Sequence, residues 1–230
     1  KINVINDFIS KDVELGGQGA PLVPIGDKLL LGDYDYCLNI GGNANISYEK
    51  DDQRIAYDIC AVNMVLNKLT AILGKAYDDR GMMAAEGVVQ DDLLEHLESL
   101  SYYHMTGPRS LGREWVEENI FPLLHDPDKT GINNLLATYT EHAAQRIAAV
   151  IDAGKRVLVT GGGAYNDQLI KRIQAHCDAE LIVPDKLIVE FKEAMIFAFL
   201  GVLRDRGDIN VLGTVTGSGI DHSSGLIHIP

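Results

Sequence analysis

The chain has little that would suit it to an oxidising or a membrane setting. Its three cysteines, Cys37, Cys60 and Cys177, stand far apart. An odd number without close spacing makes neither a disulfide framework nor a zinc site. The seven histidines show no HExxH or comparable spacing, so no metal-ligating residues are expected. No apolar run reaches the ~18 residues of a membrane span, and no long apolar stretch follows Lys1 as it would in a signal peptide. These absences point to the cytoplasm. Basic residues are also scarce, 20 against 33 acidic, for a net charge of −13. Nucleic acid is a poor partner for such a surface, because binding it relies on Lys and Arg at phosphates. The acidity favours solubility. An anionic ligand can still bind where backbone N–H groups are supplied. What is present is an ordinary globular mixture, 230 residues with 46% hydrophobic and 23% charged, long enough for a sizeable core.

Along the chain, Ile2 to Ile5 reads as a strand from the outset, as though something precedes it. Residues 13–27 read as a glycine-rich loop containing Gly16-Gly17-Gln18-Gly19-Ala20-Pro21. Tyr36 to Ile40, Asn45 to Tyr48 and Arg54 to Asp58 are three short strands with tight turns, an antiparallel meander. Val62, Val65, Leu66, Leu69 and Ile72/Leu73 then share one helical face, with Gly74 as a stop. Residues 91–100 and 112–124 read as helices, separated by a loop from Gly107 to Gly112, and Asn133 to Ala153 as a longer helix closed by Gly154. Arg156 to Thr160 is a buried strand. Asn166 caps a helix from Asp167 to His176, Glu180 to Val183 is the last clear strand, and Phe191 to Leu203 is the last long helix. Three antiparallel strands followed by helix-linked parallel ones predict an α/β fold with a ribonuclease H-like mixed sheet flanked by helices, one lobe of an actin-like ATPase fold. Residues 1–230 then form a single domain with a helical insertion around 75–130.

Four places can carry chemistry. Gly41-Gly42, in a strand-to-strand turn, is either a plain hairpin or a close backbone approach to phosphate oxygens. Gly161-Gly162-Gly163 lies between a buried strand and a helix start, at the carboxyl edge of a sheet. It is either a tight turn or a ligand site, and it is not the GxGxxG fingerprint. Asp58, at a strand end before the Val62 helix, is either a general base or a helix cap. Glu193, among Phe191, Ala194, Ile196 and Phe197, binds a sugar hydroxyl, pairs with Lys192 or an arginine, or complements the positive end of its helix.

Taken together, several ordered segments resemble one family. They are Asp7-Phe8 with Asp12-Val13 and Gly16 to Pro24; Asn39-Ile40-Gly41-Gly42 with Asn45-Ile46-Ser47; Arg109-Ser110-Leu111-Gly112-Arg113-Glu114; Gly161 to Asn166; Glu193-Ala194; and Thr216-Gly217. They are similar to the 1,6-anhydro-N-acetylmuramic acid kinases over essentially the whole chain. Asp58-Ile59-Cys60 with Val62-Asn63 resembles the Bacteroidetes branch.

The resemblance implies an ATP-dependent phosphotransferase of cell-wall recycling. It hydrolyses the 1,6-anhydro ring of a muramic sugar and phosphorylates O6, with magnesium (Mg2+) bridging phosphate oxygens. It implies Asp58 as the base that activates water. Glu193, Lys11, Gln18, Gly19, Arg109 and Asn63 would lie on the amino sugar, and Gly41, Gly42, Gly161, Gly162, Gly163 and Asn166 on the nucleotide. A homodimer is a further expectation. The sequence departs from the family pattern at Ile9, where arginine is usual, at Ala61-Val62 before Asn63, and at Arg109, where lysine is usual. A first lobe with its own phosphate loop is expected of the family and is absent from these residues, so a fragment, or a partner that supplies the lobe, is expected. Another sugar or acetate-type phosphotransferase, or a non-catalytic nucleotide- or muropeptide-binding module, is the alternative.

Overall fold

The computed structural model describes residues 2–105, 109–124 and 131–230. Part of the expected loop at Gly107 to Gly112, namely Gly107 and Pro108, lies outside the described residues. The elements run as β1 (Val4–Asn6), α1 (Ser10–Glu14), α2 (Pro24–Leu30), β2 (Tyr36–Ile40), β3 (Asn43–Lys50), β4 (Gln53–Ala61), α3 (Asn63–Ala71), α4 (Met82–Glu86), α5 (Asp91–Glu98), α6 (Arg113–Asn119), α7 (Ile132–Ala148), β5 (Arg156–Thr160), α8 (Asp167–His176), β6 (Glu180–Ile182), α9 (Lys186–Arg206), α10 (Gly213–Thr216) and β7 (Leu226–His228). The main sheet has the order β4-β3-β2-β5-β6. Its β4-β3-β2 half is antiparallel, and β2-β5-β6 is parallel. This is the ribonuclease H-like order that the sequence predicts. A separate pair, β1 and β7, joins the two ends of the chain.

One large apolar cluster packs the sheet against α3, α7 and α8. Helix α7 is buried on nearly every side, including Tyr139, Ala143 and Ile147, as befits a helix at the centre of a core. A smaller cluster of Phe8, Leu22, Ile25, Ile196, Leu200 and Val211 lies between α2 and α9. Gly26 permits their close approach, since a Cβ there would lie 2.5 Å from Ile196.

Several boundaries differ from the sequence reading, each for a local reason. Residues 13–27 are not one loop: α1 runs through Glu14 and α2 begins at Pro24, whose fixed φ suits the first turn of a helix. β4 continues past Asp58 to Ala61. Asp58 is therefore inside the strand and is not the cap of α3, whose N-cap is Val62. α7 stops at Ala148 rather than Ala153. α9 starts at Lys186 rather than Phe191, because Asp185 caps it by accepting from Leu187 N (2.9 Å) and Ile188 N (3.2 Å). Glu193 thus sits beyond the second turn, too far from the helix start to complement its dipole. β7 lies beyond Glu180 to Val183, the last clear strand that the sequence predicts. The cap of α8 is as expected, with Asn166 Oδ1 accepting from Leu169 N at 3.0 Å.

Candidate active site

A cleft of about 1130 Å³ opens over one face of the main sheet. Its floor is the β2-β3-β4 face, one wall is α9, and the segment from Gln18 to Pro24 closes another side. Of the residues singled out from sequence, Gln18, Gly41, Asp58, Arg109, Gly161, Gly162 and Glu193 line it.

Asp58 is half-buried on the floor. β4 is the edge strand, and residues 109–111 run along that edge. Asp58 N donates to Arg109 O (3.0 Å), and Leu111 N donates to Asp58 Oδ2 (2.9 Å). Ser110 Oγ stands 3.5 Å from the same oxygen. The Tyr102 hydroxyl donates to the Asp58 carbonyl at 2.6 Å. Burial pushes the Asp58 carboxyl above its ordinary value, against the bonds from Leu111, Ser110 and Asn43 that favour the charged form. A carboxylate raised in this way and open to a cleft is suited to take a proton.

Arg109 packs between the rings of Tyr57 and Tyr102, 5.0 and 5.1 Å from their centroids, and donates to Met105 O at 2.8 Å. The planar guanidinium lies on both of these ring faces.

The two glycine turns differ in kind. Gly41 N donates to Asn43 O (2.9 Å), while the Gly41 and Gly42 carbonyls accept from Asn63 N (3.2 Å), Val62 N (2.8 Å) and Met64 N (3.1 Å). This turn closes a hairpin and receives the start of α3, and the Gly41 N–H is already engaged. In the second turn Gly161 has φ +81°, and a Cβ there would come within 2.7 Å of Ile40 O. Only glycine fits such a place. Gly163 is packed on Ile40, at 2.2 Å for an added Cβ, whereas Gly162 is exposed with open space before it. Of the three, Gly161 and Gly162 face the cleft and Gly163 joins the turn to β2.

Other expected site residues serve the frame. The Lys11 ammonium donates to Ser223 O (2.7 Å) outside the cleft. Gly19 is buried, and its N–H donates to Asp12 Oδ2 at 2.8 Å. Asn63 donates to Ile40 O at 3.4 Å behind the hairpin turn. Asn166 is the helix cap already described. Glu193 is exposed on the cleft wall, and Lys192 does not pair with it.

Lys192 belongs instead to a cluster that the sequence did not disclose. Its ammonium lies 3.0 Å from Asp27 Oδ1. Asp27 Oδ2 accepts from Ser47 Oγ (2.5 Å) and lies 4.0 Å from Arg54, and Arg54 donates to Ser47 Oγ at 2.8 Å. All four are buried. A second buried carboxylate, Asp12, accepts from Thr216 Oγ1 (2.6 Å) as well as Gly19. With Gln18 N bonded to Thr216 O (2.9 Å), it fixes the glycine-rich segment and leaves the Gln18 side chain toward the cleft. A Cβ at Gly17 would strike the Asp12 carboxylate at 2.1 Å.

The geometry can be set beside known proteins. The family model for anhydro-N-acetylmuramic acid kinase matches residues 1–229. The chain belongs to that family. It is 34% identical over 237 residues to the anhydro-N-acetylmuramic acid kinase of Shewanella loihica, a match that covers 94% of the chain and 62% of the relative. It is 34% identical to that of Aliivibrio fischeri, over 99% of the chain and 65% of the relative. To that of Vibrio cholerae it is 33% identical, over 100% and 65%. The chain thus spans 62–65% of the length of these curated relatives. Among solved structures it is similar to the activator of the 2-hydroxyisocaproyl-CoA dehydratase from Clostridium difficile with bound ADPNP. That likeness has a TM-score of 0.47 and 16% identity, over 80% of this chain and 66% of that one. The Acidaminococcus fermentans (R)-2-hydroxyglutaryl-CoA dehydratase component A gives a TM-score of 0.43 and 15% identity, over 76% and 63%. At these scores neither likeness carries an argument about the site, and the fold assignment rests on the strand order itself.

Proposed function

We propose that the chain forms the cleft of an ATP-dependent, cytoplasmic kinase that opens anhydro-N-acetylmuramic acid and phosphorylates its O6. The observation that carries this reading is Asp58: a half-buried carboxylate, gripped by Leu111 N–H and raised by burial, on the same cleft as the Gly161-Gly162 turn. The reading concerns the whole enzyme, of which the chain spans 62–65% by its relatives' lengths.

In the reaction, Asp58 takes a proton from water as its oxygen bonds to the anomeric carbon. The bond from that carbon to O6 breaks, and O6 takes the γ-phosphoryl group from ATP, releasing ADP. Gly161 and Gly162 let the nucleotide come close to the backbone. Glu193 and Gln18 reach the sugar from opposite sides of the cleft, and Arg109 offsets negative charge beside Asp58. Magnesium would be carried by the phosphates and offset their charge. Among the described residues no group of three or more ligating side chains would hold the ion directly, so it would be held through the phosphates, with Asp58 and Glu193 on the same cleft. The test is product formation by the complete kinase with ATP, magnesium and the anhydro-sugar, followed by mass spectrometry. Formation of the sugar 6-phosphate supports the reading. ATP turnover without sugar phosphate overturns it.

A further inference from the structure

We propose that Asn45, with Asn39 beside it, is a sugar-binding residue of this cleft, set directly opposite Asp58 in the sheet. The inference rests on the kinase reading above and deepens it. In the main sheet Asn39 stands opposite Asn45, and Asn45 opposite Asp58. Directly opposed residues point to the same face of a sheet. Neighbouring strands place them about 5 Å apart, so the three side chains form a row about 10 Å long. All three line the cleft.

The register that makes this row runs unbroken from the β3-β4 turn, Lys50 opposite Gln53, to Asn45 opposite Asp58, and ends there. Ala44 pairs with Cys60, but the next residue, Asn45, pairs with Asp58, so Ile59 is left over. Ile59 is packed in the core, at 1% exposure. Had the register of the turn continued past Asn45, Ala44 would meet Ile59 and Asn43 would meet Cys60. A one-residue slip turns a strand over, and a bulge beside a site re-aims a side chain. Here the bulge follows the amide–carboxylate pair: Cys60, two residues past Asp58, is buried opposite Ala44 instead of continuing the cleft face.

Neither amide is used by the protein. Asn39 and Asn45 are half-buried, and among the described residues their side chains make no hydrogen bond. Both amides are open to the cleft, so each has a donor and an acceptor to offer a ligand. The two ends of the row face different chemistry. The Asn39 amide lies at the glycine turn, where a Cβ on Gly161 would be 2.8 Å from its oxygen. Asn45 is the residue next to Asp58. A ligand atom beside Asn45 is therefore close to the water that Asp58 activates, which belongs to the sugar. The next row of the sheet, Cys37, Ser47 and Ala56, lies under Asp27 and Arg54, both bonded to Ser47 Oγ.

The test uses the complete kinase and two variants. Asn45→Ala should raise the Kd of the anhydro-sugar in calorimetry by about tenfold, a loss of one or two hydrogen bonds, and leave the Kd of ATP and the melting temperature unchanged. Asn45→Asp keeps the shape but sets a like charge opposite Asp58, and should move the acidic limb of kcat/KM to higher pH. An unaltered sugar Kd in the first variant, in protein that melts normally, overturns the inference, as does an unmoved pH limb in the second. Asp58→Asn is measured alongside. If it retains turnover, the base reading fails. If it loses turnover while Asn45→Ala binds sugar normally, only this inference fails.

Discussion

Replacing Asp58 by asparagine separates what the carboxylate does for catalysis from what it costs the fold. The substitution keeps the shape and an oxygen that can accept from Leu111 N, but removes the base. Turnover should fall by roughly 10²–10⁴-fold, about 3–5.5 kcal/mol at about 1.36 kcal/mol per tenfold. Stability should move the other way. Burial raises the Asp58 carboxyl, so the fold binds the proton more tightly than the unfolded chain does. Its contribution to stability is present below the unfolded value near 3.8 and is lost as pH rises through the raised folded value. At neutral pH the charged form is therefore a cost, which asparagine removes. For a half-buried group, discounted for solvent screening, we take about 0.5–1 kcal/mol. In a domain of this size that is about 1–4 °C in Tm. The assay is thermal melting of both proteins from pH 3.5 to 8, with turnover measured at neutral pH. The difference in Tm should be largest near neutrality and close towards pH 3.5, where the wild-type carboxyl is protonated. A variant that melts lower than wild type at pH 8 would show that the Asp58 charge holds the strand edge together. Undiminished turnover would remove Asp58 from the mechanism.

Three further outcomes follow from the same geometry. Gly162→Val should weaken ATP binding at least tenfold in calorimetry without lowering Tm, because Gly162 has open space before it, whereas Gly163→Ala should cost about 1–3 kcal/mol of stability by driving a methyl group into Ile40; equal melting of the two variants would contradict this division of the turn. Tyr102→Phe removes the 2.6 Å bond to the Asp58 carbonyl and loosens the strand edge, so kcat should drop about 3- to 30-fold with KM little changed, and a change in KM alone would place Tyr102 at the substrate instead. Burial pushes Glu141 up, but hydrogen bonds from Arg172, Gln145 and His176 outweigh it and bring its carboxyl down to about 2. Its stabilisation is therefore present above about 4.5 and fades as pH falls towards 2. Glu141→Gln should lose about 1–3 kcal/mol in urea unfolding at pH 7 and only a fraction of that at pH 2.5, and a loss independent of pH would refute the ion-pair account.

Sequence made the sheet legible because its strands are short, apolar and cleanly bounded. Tyr36–Ile40 and Arg156–Thr160 are buried between layers and read directly, and the Asn166 cap fixes the start of α8 to the residue. Where the reading slipped, the local signal was of another type. Pro24 and Asp185 start helices through φ restriction and capping, cues that apolar periodicity does not contain. β7 has three exposed residues and is a strand only because the opposite end of the chain lies beside it.

The site was legible in proportion to how local its determinants are. Gly161, Gly162 and Asp58 sit in contiguous motifs, and they reach the cleft. Gly19 and Lys11 sit in such a motif too, but the motif is held by Asp12 and Thr216, which are 204 positions apart, so a glycine next to the site turns out to be part of its frame. Lys192 and Asp27 are 165 positions apart, and nothing in either neighbourhood says that one ammonium and one carboxylate will share a dry place. Asn45 shows the sharpest limit. Asn45-Ile46-Ser47 is legible as a strand, yet alternation alone does not say which residue of the next strand Asn45 faces; the register that starts at the β3-β4 turn sets it opposite Asp58. A pattern of alternating residues assigns faces by parity, and one extra residue reverses parity from that point on. In β4 the extra residue is Ile59, so alternation carried past Asp58 would put Cys60 on the cleft face, whereas Cys60 is buried opposite Ala44 and Asp58 is the last residue of the strand whose face alternation gives correctly.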